Sequence, residues 1–76
     1  MRNVEVIITV DYDNKVVEVI GKRDGKVFRR RKVGDQSLLN DEMGYYSVEH
    51  KHDLKQVTTY TIKDGEKKFY SKKEEA

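Results

Sequence analysis

The sequence predicts a small, mostly β domain of five or six strands built from hairpins, either an antiparallel sheet or a barrel-like closure of one, with a short helical turn at about residues 36–43. Three observations predict it. Apolar and polar residues alternate over Val4–Tyr12, and a second strand-like run follows over Lys15–Arg23; that period sends successive side chains to opposite faces of a sheet. Asp24-Gly25 and Asp64-Gly65 each separate two strand-like runs, and Asp-Gly supplies the two positive-φ residues of a tight hairpin turn. At 76 residues, 36% hydrophobic and 39% charged, the chain is too short and too polar for more than one modest core.

The first run sends Val4, Val6, Ile8, Val10 and Tyr12 to one face and Glu5, Ile7, Thr9 and Asp11 to the other. Its β-branched residues suit a pleated strand. With Asp13-Asn14 as the turn, Val10 pairs with Val17, Ile8 with Val19 and Val6 with Gly21, so one face is continuously apolar. Pairing through Asp24-Gly25 sets Gly21 opposite Phe28, where the glycine leaves room for the ring. The same register turns Arg30 and Lys32 toward the core side and Arg29 and Arg31 toward the far side, with Glu18 beside Arg31. A strand with cations on both faces belongs at a sheet edge.

Asp35 or Ser37 is placed to cap a turn or two of helix carrying Leu38, Leu39, Glu42 and Met43, with Gly44 just past its end. Tyr45–His50 and Leu54–Lys63 are then expected to form another antiparallel pair joined by Lys51-His52-Asp53. That pairing gathers Tyr46, Val48, Leu54, Tyr60 and Ile62 into a second apolar face. Asp64-Gly65 sets Tyr60 opposite Phe69, Thr59 opposite Tyr70 and Thr61 opposite Lys68. Residues 73–76 are expected to fray as a charged tail, which leaves residues 1–72 as one domain.

The net charge of +2 conceals segregation by sign. Residues 22–34 carry seven basic groups against one acidic, whereas residues 35–54 carry one against five. Such asymmetry says more about partners than the pI does. Lys22, Arg23, Lys26, Arg29, Arg30, Arg31 and Lys32 are therefore the candidate residues for binding an anion or nucleic acid, with Tyr12, Tyr45 and Tyr70 as candidate base-stacking platforms. The bland alternative is that these cations only keep an edge strand from aggregating. A second functional reading uses Ile7, Val16, Ile20 and Val27, a stripe on the outer face that one core does not need. It would dock a protein partner or a second copy, as an inhibitor or adaptor would.

Catalysis and cofactor binding find little support. No serine stands in a Gly-x-Ser-x-Gly context, no cysteine is present and no glycine-rich phosphate loop occurs, so a non-enzymatic module without cofactor is expected. Glu49, His50, His52 and Asp53 cluster, but no third ligand is set by their spacing and Lys51 intervenes. Solvated loop histidines and no metal site are the expectation. Apolar runs span only a few residues, short of a membrane span or a signal-peptide core, so a cytoplasmic protein with no membrane partner is expected.

Overall fold

A computed structural model describes residues 3–74 as one five-stranded sheet with a helix packed on one face. In chain order the elements are β1 (Val4–Asp11), β2 (Val16–Arg23), β3 (Lys26–Val33), α1 (Gln36–Glu49), β4 (Leu54–Lys63) and β5 (Glu66–Glu74). The strand order is β3-β2-β1-β4-β5, so the first strand made is the centre of the sheet and β3 and β5 are its two edges. The sheet stays open; the barrel alternative does not hold.

The β1–β2 register is the one the alternation requires, with Val10 opposite Val17, Ile8 opposite Val19 and Val6 opposite Gly21. Its turn differs in detail: Tyr12–Lys15 make the connection and Lys15, not Asp13 or Asn14, takes the positive φ of 56°. Asp11 holds that turn by accepting from the backbone and side-chain amides of Asn14, at 3.0 and 2.8 Å. Both Asp-Gly turns have positive φ at both residues, 53° and 83° at Asp24-Gly25 and 54° and 77° at Asp64-Gly65, as a mirror-image hairpin turn demands.

Residues 45–50 depart most from expectation. The helix runs 14 residues and absorbs Tyr45–Glu49, which were expected as a strand. Asp35 caps it, its carboxylate accepting from the Ser37 backbone N–H at 2.8 Å. Gly44 lies inside the helix rather than past its end, at a cost of about 0.5–1 kcal/mol relative to Ala. Burial offsets that cost, because Leu39, Met43, Tyr46 and His50 fall on one helical face and pack on the sheet. With 34–53 now a crossover, β4 cannot pair with that segment. It runs parallel to β1 instead, on the edge β2 leaves free. β5 continues to Glu74, two residues into the stretch expected to fray.

The core is Val4, Val6, Ile8, Val19, Tyr46 and Leu54, with Phe28, Leu39, Met43 and Tyr45 packed around it. Gly21 does make room for a ring, but the ring is that of Tyr46 and not Phe28. The Tyr46 hydroxyl is buried and, among the described residues, has no hydrogen-bond partner. Removing it by Tyr46→Phe should raise stability by about 1 kcal/mol, since an unpaired buried hydroxyl costs more than it returns. Burial also pushes its pKa up to about 12. The unfolded chain releases this proton near pH 10, so stability falls as pH rises from 10 to 12, by up to about 1.4 kcal/mol per unit. Urea titrations between pH 9 and 12 should show a shallower decline for Tyr46→Phe. Equal slopes for the two proteins would contradict this.

Candidate functional site

The helix covers one face of the sheet, and the strand registers define what the other face shows. Four rows of side chains cross it from β3 to β5. The first is Val27, Lys22, Glu5, Gln56 and Glu74. The second is Arg30, Ile20, Ile7, Thr58 and Lys72. The third is Lys32, Glu18, Thr9, Tyr60 and Phe69, and the fourth begins at Val16 on β2 and continues through Asp11, Ile62 and Lys67. Ile7, Val16, Ile20 and Val27 thus do share the outer face, and β4 and β5 extend their stripe with Tyr60, Ile62 and Phe69. No described residue lies over this face.

The basic strand divides in two, with the sides exchanged from expectation. Phe28 is an extra residue between the pairs Lys22–Val27 and Gly21–Arg29, a bulge that shifts every residue beyond it by one. Arg29 and Arg31 consequently face the helix, while Arg30 and Lys32 face the open side. Glu42 of α1, 6% exposed, accepts from Arg29 Nε at 3.1 Å and Nη2 at 2.9 Å, and lies 3.6 Å from Arg31 Nε. That carboxylate raises the Arg29 pKa further above its usual value. Arg29 also lies over the Tyr45 ring at 4.0 Å. Arg23, on the helix side, stacks over Phe28 at 4.6 Å and points Nη2 at His50 Nδ1 at 3.4 Å.

Two of the seven candidate cations, Arg23 and Arg29, are therefore held in the fold's own contacts, and a third, Arg31, is exposed beside Glu42 on the helix side. Arg30 and Lys32 are exposed on the open face, Lys22 is half-buried there beside Glu5, and Lys26 is exposed at the hairpin end on the helix side. Of the candidate stacking residues, Tyr45 is on the helix, packed between Arg29 and His50. Tyr12 (58% exposed) sits in the β1–β2 turn and Tyr70 at a bulge in β5 opposite Thr59 and Tyr60. The aromatics that do share the open face are Tyr60 and Phe69, expected instead to join a core. Their centroids are 6.0 Å apart, edge to face, and Lys67 Nζ lies 4.8 Å from the Tyr60 ring. The Tyr60–Phe69 pairing was readable from Asp64-Gly65; which side of the sheet it faced depended on the parallel pairing to β1, which the hairpin pattern does not encode.

His50 is buried and committed. Arginine can only donate, so Nδ1 accepts from Arg23 and Nε2–H donates to Tyr45 Oη at 3.2 Å. His52 is an exposed loop residue. Among the described residues no three His, Asp or Glu side chains converge as metal ligands.

Charge also separates by layer. The five strands carry thirteen basic and five acidic residues, and α1 carries three acidic and no basic ones. On the open face the edge strands contribute Arg30, Lys32, Lys67 and Lys72 against Glu74, whereas the inner strands contribute Glu5, Asp11 and Glu18 against Lys22. The face is cationic along both margins, with aromatic, aliphatic and carboxylate groups between them. Comparison with family models, curated proteins and solved structures finds no match, so a functional reading of this chain rests on that geometry.

Proposed function

We propose that the protein is a non-enzymatic binding module whose open sheet face takes single-stranded nucleic acid. The observation that carries this reading is the pair of half-buried Tyr60 and exposed Phe69, with Phe69 on the β5 margin between Lys67 and Lys72 and the Arg30–Lys32 margin across the face. A flexible polyanion is complementary to such a face: its phosphates meet the margins while its bases, unstacked and splayed, lie on the rings. A duplex is excluded from the same contacts because its bases are already stacked. A second copy of the chain fits less well. Stacking two such faces about a two-fold axis sets cationic margin on cationic margin, and like charges across an interface are costly.

Phe69 is 61% exposed, so Phe69→Ala should leave the fold intact and weaken binding by about 5- to 100-fold, the range of one base-stacking contact. Fluorescence anisotropy with labelled single strands at 50 and 200 mM salt reads this directly. Removing both Arg30 and Lys67 as Ala should lower the salt slope by about 1.4, at about 0.7 per phosphate contact on a single strand. No binding at 50 mM salt would sink the proposal. Sedimentation of a dimer that Phe69→Ala dissolves would replace it with self-association through this face.

A further inference from the structure

A pocket of about 210 Å³ opens on the open face at the end where the aromatic pair sits. Val16 and Ile62 stand on either side of Asp11 as its apolar walls. Thr9, 8% exposed, lies between Glu18 and Tyr60 in the third row, and Lys32 is directly opposite Glu18 across the β2–β3 ladder. Pockets for drug-sized ligands run about 300–1,000 Å³, so this one admits a single ring system.

Its polar groups are not equivalent. Both Asp11 oxygens are held by Asn14, and those hydrogen bonds, with a smaller contribution from the Lys32 charge, keep the Asp11 carboxyl below its usual range. Among the described residues neither Glu18 nor Lys32 forms an ion pair. The pocket therefore offers the Glu18 carboxylate, which only accepts, beside the Lys32 ammonium, which only donates and whose charge also reaches Asp11. Directly paired residues place their Cβ atoms about 5 Å apart, close enough for both heads to reach one base edge.

We infer that this pocket reads guanine. The inference rests on the reading of the open face as a nucleic-acid platform and names the base that platform selects. Guanine alone among the four bases presents, in one row, an acceptor (O6) followed by two donors (N1–H and the N2 amino group). Lys32 takes O6 and the Glu18 carboxylate accepts from both donors, while Val16 and Ile62 cover the ring faces. Adenine and cytosine offer the carboxylate one amino group with a ring-nitrogen acceptor beside it. Uracil and thymine offer a single N–H flanked by two carbonyl oxygens that the carboxylate repels. Phe69, next along the face beyond half-buried Tyr60, is in position to stack an adjoining base.

The test is a titration of the ¹⁵N-labelled full chain with guanosine, adenosine, cytidine and uridine 5′-monophosphates, followed by heteronuclear NMR. Guanosine monophosphate should shift the amides of Thr9, Val16, Glu18, Lys32 and Ile62 and bind on the order of 10- to 100-fold more tightly than the uridine nucleotide. Glu18→Gln should lower the guanosine affinity about ten-fold, toward that of the other three. Equal response to all four nucleotides, no shift at the pocket, or an unaltered guanosine affinity in Glu18→Gln would overturn the inference. The two readings fail separately. Single strands that bind without base preference while the pocket amides stay still leave the platform and remove the pocket. A guanosine response without any single-strand binding removes the platform and leaves a mononucleotide site.

Discussion

Glu42→Ala should destabilise the fold by about 2–3 kcal/mol, a large share of the roughly 4–11 kcal/mol expected of a chain this size. The carboxylate is nearly fully buried and makes the two-point contact that fixes the edge strand to the helix. Removing it leaves the Arg29 guanidinium over Tyr45 without its counter-charge. Stripping one partner from a fully buried pair costs about 3–5 kcal/mol. The Arg29 side chain is 28% and the Arg31 side chain 56% exposed, so both partly rehydrate and the loss is smaller. The melting temperature should fall by roughly 10–20 °C. A concurrent Arg29→Met with Glu42→Leu, which removes both charges and keeps apolar contact, should be less damaging than Glu42→Ala alone. Urea denaturation of the three proteins measures this, and a loss under 0.5 kcal/mol for Glu42→Ala would show that Glu42 does not pin β3.

Gly21→Ala should cost a similar amount, for a steric reason. A Cβ at position 21 would meet the Tyr46 hydroxyl oxygen closest of all, and Cε1 and Cζ at 2.8 and 2.9 Å. That ring cannot yield. It is fully buried and braced by Tyr45 at 5.2 Å, His50 at 5.9 Å and Phe28 at 6.3 Å between centroids. Overpacking of this kind costs about 1–3 kcal/mol, and a rigid neighbour places the expectation at the upper end. Tyr46→Phe removes the nearest of the three atoms. In that background Gly21→Ala should cost at least 0.5 kcal/mol less, a coupling that a double-mutant cycle resolves. Additive effects would show that the ring moves aside.

These two sites mark where sequence reasoning succeeded and where it stopped. The first three strands were legible because alternation and Asp-Gly turns are local signals. Gly21 was legible as a place for a ring, but the residue that fills it lies 25 positions on and comes from a helix. That helix had its own signal. Leu39, Met43, Tyr46 and His50 recur at spacings of four, three and four, which is helical; the β-prone composition of Tyr45-Tyr46-Ser47-Val48 masked it. The bulge at Phe28 was not legible at all. Nothing in Val-Phe-Arg-Arg-Arg specifies an extra residue; what favours it is Glu42, placed by the helix to receive Arg29 and Arg31 together. The candidate site moved for the same reason. Cations were found by counting, but only the three-dimensional register separates Arg30 and Lys32, which face the open side, from Arg29 and Arg31, which share the Glu42 carboxylate on the helix side.

The central place of β1, between β2 and β4, leads to an expectation for how the chain folds. Residues 4–33 need only two short turns to form β1, β2 and β3 as an antiparallel meander, and such local pairing is fast. The other edge of β1 then stays unpaired until the chain has been extended past Ile62, wound into the helix and brought back in parallel register. A chain whose meander forms before the crossover exposes a β-branched strand edge, Val4–Asp11, on the side opposite its own basic strand. The cations of β3 guard the far edge and cannot shield this one. Slowing the crossover, as a helix breaker in 36–49 would, should therefore lengthen the exposure and divert chains into edge-to-edge association before the native sheet is complete.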